Sequence, residues 1–230
     1  MVRAILFDLD RTLVDRDTSI RLFFEAQWHN CRVTHQGLRS CQAWVERLLE
    51  LDRQGFSNKD ENYLTLAREF DLPEETARSL AADFRERFGR AVLLFPGVPE
   101  LLTELRAQGY RLGIITNGST QVQRAKIETT RLKPLVDVVV ISEQEGIKKP
   151  APEIFAHALS RLGVTAAEAI FVGDNLELDI RGGRGAGLRT IWLCAKDAPF
   201  AAEADARVES VAELGSAIVR LASTPHPVSP

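Results

Sequence analysis

Along this chain the spacing of apolar and polar positions changes period twice. Residues 3–8 (RAILFD) form a short apolar run closed by an acid, the pattern of a buried strand opening into a polar turn. From about Asp17 to Phe88 the pattern is helical throughout, and no strand is predicted. One helix starts near Thr18 and carries Ile20, Leu22, Phe23, Ala26 and Trp28. A second runs from about Leu38 to Leu51, with Trp44, Val45, Leu48 and Leu49 on one side. A third follows Asn58. A fourth starts at Pro73, has Glu74 and Glu75 in its first turn, and reaches Phe88. Arg16, Asp17, Arg21 and the loop Asp52–Asp60, taken singly, read as solvated surface.

After Phe95-Pro96-Gly97 strands and helices alternate. Strands are predicted at Arg111–Thr116, Val136–Ser142, Ala169–Gly173 and Arg189–Leu193, with a short one near Ala206–Val208. Helices are predicted at Val98–Gln108, Gln121–Thr130, Pro152–Leu162, Leu178–Ala186 and Val211–Leu221, several of them stopped by glycine. The alternation predicts an α/β fold, a Rossmann-like parallel sheet with helices on both faces. The core domain would comprise 1–16 and 93–222, interrupted by an all-helical domain at 17–92. Residues 223–230 (STPHPVSP) have the composition of a disordered tail.

Composition narrows the class a little further. The 230 residues suffice for one α/β domain and a modest insertion. A net charge of −3 offers no basic field to nucleic acid or an anionic membrane. No apolar window approaches the ~18 residues of a membrane span, and the N-terminal apolar stretch is too short for a signal peptide. Cys31, Cys41 and Cys194 are scattered without CxxC spacing. Neither a disulfide framework nor a zinc site is expected, and a reducing cytoplasm is the simplest location.

In parallel α/β sheets ligands bind beyond the carboxyl ends of the strands. The first predicted strand leaves Asp8-Leu9-Asp10-Arg11-Thr12 there, and the strand at 111–116 leaves Thr116-Asn117-Gly118. The strand at 136–142 is followed by Gly146-Ile147-Lys148-Lys149-Pro150. The strand at 169–173 leaves Gly173-Asp174-Asn175, with Asp179 a turn further on. Asp8, Asp10 and Asp174 gathered at one edge would repel one another, so a cation is expected among them. An all-oxygen donor set suits magnesium rather than zinc. Magnesium there would hold a phosphate dianion. One carboxylate could then attack phosphorus to form an acyl phosphate. A second acid two residues away could protonate the leaving oxygen and later take a proton from water. The Thr116 hydroxyl and the backbone amides of Asn117 and Gly118 would bind phosphoryl oxygens, with lysine stabilising the transition state.

FDLDRTLVD, IITNGS, GIKKPAPEIF and VGDNLELDI, in this order, resemble the four motifs of the haloacid dehalogenase superfamily. The resemblance covers about residues 1–16 and 93–215, and the helical insertion resembles that family's helical cap. It implies that Asp8 is the nucleophile and Asp10 the general acid and base, with its backbone carbonyl on magnesium. Thr116 and Asn117 would bind phosphate, and Asp174 would ligate the metal. Lys149, directly before Pro150, matches the family lysine, with Lys148 as the alternative. Asp179 would support the metal's water shell or orient Lys149. Arg11 departs from the pattern, because the family often has glycine there. If that position requires positive φ, Arg11 would be strained.

The resemblance implies a magnesium-dependent hydrolase of a small-molecule phosphomonoester. A monomer or homodimer is expected, and the net charge argues against a nucleic-acid or membrane partner. A dehalogenase needs neither the metal nor the second acid, and Asp10 argues against it. A phosphonate hydrolase wants a cap lysine, and the insertion offers only Lys59. A sugar-phosphate mutase keeps the same motifs. A non-catalytic sensor of phosphate ligands is the alternative of a different class.

Overall fold

A computed structural model describes residues 1–30, 40–55, 57–198 and 203–224. The chain forms two compact units, Arg16–Val92 and Met1–Asp15 with the described residues from Leu93 onward.

The first unit holds helices α1 (Arg16–Asn30), α2 (Cys41–Asp52), α3 (Lys59–Glu69) and α4 (Glu74–Arg87). Residues 38–39 of the second predicted helix lie outside the described residues, as does Cys31. Polar side chains start two of these helices. Ser40 Oγ accepts from the Ala43 amide at 3.2 Å, and Asn58 Oδ1 accepts from the Asp60 amide at 3.0 Å. Each such cap is worth about 1 kcal/mol. The apolar stripes meet in an aromatic cluster. Phe84 and Phe88 stack at 4.7 Å, and both meet the Phe23 ring edge-on at 5.6 and 5.5 Å.

Arg16 and Asp52 are not solvated, contrary to the reading from sequence. Asp52 Oδ2 lies 2.9 Å from Arg16 Nη2, and its Oδ1 lies 2.6 Å from Lys59 Nζ. The Arg16 and Asp52 side chains are buried. The partners stand 36 residues apart, so no local periodicity reveals the pair.

The second unit is the α/β core. Its strands are β1 (Ala4–Phe7), β2 (Val14–Asp15), β3 (Leu93–Leu94), β4 (Arg111–Thr116), β5 (Val138–Ile141), β6 (Ala169–Gly173), β7 (Arg189–Leu193) and β8 (Ala206–Val208). Its helices are α5 (Val98–Ala107), α6 (Thr120–Thr129), α7 (Ser142–Glu145), α8 (Pro152–Leu162), α9 (Gly182–Gly185) and α10 (Val211–Ser223). Six strands form a parallel sheet in the order β5-β4-β1-β6-β7-β8. Every residue of β1 is fully buried, which is why its sequence is continuously apolar rather than alternating. On one face Phe155 of α8 meets Phe171 of β6 edge-on at 5.1 Å. Each buried ring contributes roughly 1.5–3 kcal/mol.

The order has one functional consequence. From β1 the sheet extends through β4 to β5 on one side, then resumes at β6 on the other. The carboxyl ends of β4, β1 and β6 therefore lie side by side at a topological switch point.

Three local features differ from the sequence reading. A two-stranded antiparallel ladder pairs Val14 with Leu94 and Asp15 with Leu93, joining the segments that lead into and out of the helical insertion. Two residues per strand are too few to show alternation. The helix predicted at Leu178–Ala186 is instead a π-helical segment, Leu176–Arg181, followed by the single turn α9. Helix α10 extends to Ser223, into the predicted tail, whose residues 225–230 lie outside the described residues. Among the described residues no helix is long and apolar enough to cross a membrane.

The buried ion pair gives a test of the helical unit. Asp52→Asn leaves two cations without their shared counter-charge, a change that costs about 3–5 kcal/mol. Urea unfolding followed by circular dichroism should show it. A loss below about 1 kcal/mol would mean that the pair contributes little.

Candidate active site

Asp8 is the first residue beyond β1, and its amide donates to the Val172 carbonyl of β6 at 2.9 Å. The side chain is therefore fixed where the three strand ends meet. Lys149 Nζ lies 2.5 Å from Asp8 Oδ1 and 2.6 Å from Asp179 Oδ1, with only 2% of its side chain exposed. Lys148 is exposed. Of the two lysines, Lys149 is thus the one in the acidic site. Its backbone is clamped by Asn117, whose Nδ2 donates to the Lys149 carbonyl at 3.0 Å and whose Oδ1 accepts from the Lys149 amide at 2.9 Å. The Asn117 side chain holds the lysine rather than reaching for a phosphate.

Asp179 comes from the π-helical segment. Its Oδ2 accepts from the Asn175 amide at 2.9 Å, and Asn175 Oδ1 caps the segment by accepting from the Glu177 and Leu178 amides. The wide turn brings Asp179 back over Gly173. A Cβ on Gly173 would lie 2.4 Å from that of Asp179, so only glycine fits.

Asp8, Asp174 and Asp179 present carboxylate oxygens within 4.8 Å of one another. The cluster differs from the expected set, because Asp179 rather than Asp10 completes it. The physical reason is that the Asp10 carboxylate is held elsewhere. Lys126 Nζ lies 2.7 Å from both of its oxygens, and Gln123 Nε2 donates to Oδ2 at 3.0 Å. Gln123 Nε2 also reaches Thr116 Oγ1 at 2.5 Å. The Asp10 charge still acts on Asp8.

Sequence reasoning missed Gln123 and Lys126. Both are buried on α6 with Ile127, three residues that share one helix face. That shared face was the available signal, but polar residues on it read as solvent-facing. Gly118 was expected to offer its amide to phosphate. Instead that amide donates to Ser142 Oγ at 3.0 Å. With φ of 141° and a would-be Cβ 3.2 Å from Gln123, Gly118 serves the turn.

Comparison with known proteins shows the family of the chain. The model of the haloacid dehalogenase-like hydrolase family matches residues 5–193. The chain belongs to that family. A glyceraldehyde 3-phosphate phosphatase of Pyrococcus abyssi is 36% identical over 198 residues, covering 84% of this chain and 82% of its own length. An N-acylneuraminate-9-phosphatase of Mus musculus is 44% identical over 208 residues, with 84% and 82% covered. The crystal structure of a HAD phosphatase from Thermococcus onnurineus aligns with a TM-score of 0.67 at 28% identity, covering 94% of this chain and 98% of that one. This haloacid dehalogenase-like hydrolase is a phosphatase, a phosphoric monoester hydrolase.

In this hydrolase Arg11 has a φ of 62°, in the left-handed region. The strain anticipated from its sequence is present, of order 1–2 kcal/mol for a residue with a Cβ. The tight turn holds it there, with the Arg11 amide donating to the Val14 carbonyl at 2.8 Å. Arg11 also acts favourably on the Asp174 charge.

The acids are electrostatically unsatisfied. Burial pushes Asp8 up to about 7 against the pull of Lys149, with Asp179 and Asp10 adding repulsion. Burial, then Asp8 and Asp179, push Asp174 up to about 8. Burial alone would push Lys149 down, but Asp179 and Asp8 together outweigh it and keep the ammonium charged. One ammonium thus leaves a surplus of negative charge on hard oxygen donors, which fits a divalent cation.

Raised carboxyl values fix the sign of a pH effect in the metal-free hydrolase. Stability from Asp8 and Asp174 is full below the ordinary carboxylate range near 4 and is lost as pH climbs through about 7 and about 8. Asp174→Asn should therefore raise the melting temperature of metal-free protein at pH 8 by about 5 °C or more, and leave it nearly unchanged at about pH 3, below the ordinary carboxylate range. Equal shifts at both pH values would contradict this account of the cluster.

Proposed function

We propose that this phosphatase hydrolyses a small-molecule phosphomonoester, with magnesium bound, through a phosphoryl group carried on Asp8. The observation that carries the reading is the buried contact of Asp8 with Lys149 at the switch point, beside Asp174 and Asp179.

The Asp8 carboxylate attacks phosphorus. The ester P–O bond breaks as the acyl-phosphate bond forms, and Asp10 gives a proton to the leaving oxygen. Water then attacks phosphorus, Asp10 takes its proton, and Asp8 is released. Throughout, Lys149 offsets negative charge on Asp8 and the phosphoryl oxygens, and Asp179 and Asn117 keep it in place. The Thr116 hydroxyl and the Asn117 amide supply donors to the phosphoryl group. Asp8, Asp174 and the Asp10 backbone carbonyl would hold magnesium, which when bound offsets the charge of the phosphate dianion.

The relatives support a small substrate, since their names specify glyceraldehyde 3-phosphate and N-acylneuraminate 9-phosphate. Lys59, the insertion's one lysine, is paired with Asp52, and this speaks against a Schiff-base phosphonate reaction.

Phosphate release should be measured across a metabolite panel that includes both of those esters. Turnover should require magnesium, stop with EDTA and return when the metal is restored. Asp8→Asn should lower turnover by about 10⁴-fold or more while the protein stays folded. Near-wild-type turnover by this variant would remove Asp8 as the nucleophile.

A further inference from the structure

We propose that Lys126, assisted by Gln123, is a positioning residue that holds Asp10 in line for proton transfer in both halves of the reaction. The inference rests on the roles given above to Asp8 and Asp10.

Lys126 has 3% of its side chain exposed. Lysine is almost never buried to this degree unless it is paired, because desolvating an ammonium costs several kcal/mol. Here the ammonium reaches across 116 residues of sequence to the loop after β1 and meets both oxygens of one carboxylate at 2.7 Å. Asp10 itself keeps 21% of its side chain exposed, so it is anchored from behind while part of it stays accessible. Gln123, one turn earlier on α6, is the second anchor. Its amide nitrogen contacts both Asp10 Oδ2 and Thr116 Oγ1. One helix face thereby ties the proposed proton-transfer acid to the proposed phosphate-binding hydroxyl.

The chemistry makes use of this arrangement. When the ester P–O bond breaks and Asp8 gains phosphorus, the leaving oxygen takes the proton of Asp10, which becomes a carboxylate facing Lys126. In the second half, water attacks phosphorus, its proton goes to Asp10, and the bond to Asp8 breaks. An ammonium has three donors and rotates freely about its stem. Lys126 can therefore keep one Asp10 oxygen while the other carries the proton. Alignment of this kind matters most when the leaving group needs the proton.

Leaving-group dependence separates positioning from a merely structural tie between α6 and the loop. The full-length Lys126→Met variant would be compared with wild type in single turnovers with saturating magnesium, using phenyl phosphate and 2,4-dinitrophenyl phosphate. Phenolate needs a proton to leave and dinitrophenolate does not. Phosphorylation by phenyl phosphate should slow about 100-fold. The dinitrophenolate burst should slow less than about threefold and be followed by stalled turnover, because hydrolysis of the phosphoenzyme still needs Asp10. Lys126→Arg, which keeps the charge, should recover much of the phenyl phosphate rate. Equal slowing with both esters would overturn the proposal. If Lys126→Met does not fold, Gln123→Leu is read in the same way. A loss at least about fivefold greater for phenyl phosphate supports positioning, and parallel losses overturn it. An undiminished burst in Asp8→Asn would instead bring down the underlying roles of Asp8 and Asp10.

Discussion

A single buried ammonium makes the site possible. Lys149 sits between Asp8 and Asp179 with almost no solvent contact, and without it three carboxylates could not crowd one edge of a sheet. Features of all three strand ends keep it there. Asn117 grips its backbone from the end of β4, Gly173 at the end of β6 makes room for Asp179, and the π-helical turn returns that acid toward the lysine. Three strand ends are thus joined through one charge. The parallel order of the sheet supplies the adjacency, and the side chains supply the lock.

The ammonium compensates only in part. Asp8 and Asp174 remain pushed well above the usual carboxylate range. The fold therefore carries an unfavourable charge arrangement, offset by the apolar sheet and by rings such as Phe155 and Phe171. Such a cost separates the candidate site from the ion cluster Arg16–Asp52–Lys59, where charges are better matched. The two acids of the first loop also face different partners. Asp8 meets Lys149, while Asp10 meets Lys126 and Gln123. Two residues of identical chemistry, two positions apart, are thereby set up for different work.

Much of this was legible in the sequence for physical reasons. Buried parallel strands need continuous apolar runs, so β4, β6 and β7 stood out over the ranges they occupy. Acids and lysine at strand ends stand out by spacing and motif order, and the fold brings Asp8, Asp174, Asp179 and Lys149 together there. What stayed hidden depends on contacts between distant residues. Asp10 pairs with Lys126 across 116 positions and Arg16 with Asp52 across 36, and a polar residue facing inward on a helix looks the same in sequence as one facing water. The roles of Asn117 and Gly118 were also obscure. The side chain of one and the amide of the other are turned to Lys149 and Ser142, and only coordinates reveal that direction.

The account stands on Asp8 becoming the phosphorylated atom bearer. The most direct measurement is chemical trapping of the phosphoenzyme. Turnover would be quenched within milliseconds, borohydride would reduce any acyl phosphate to the alcohol, and peptide mass mapping would locate the product. The account predicts homoserine in place of Asp8 and at no other acid. An unmodified Asp8 during active turnover, or reduction at Asp10 or Asp174, would contradict it.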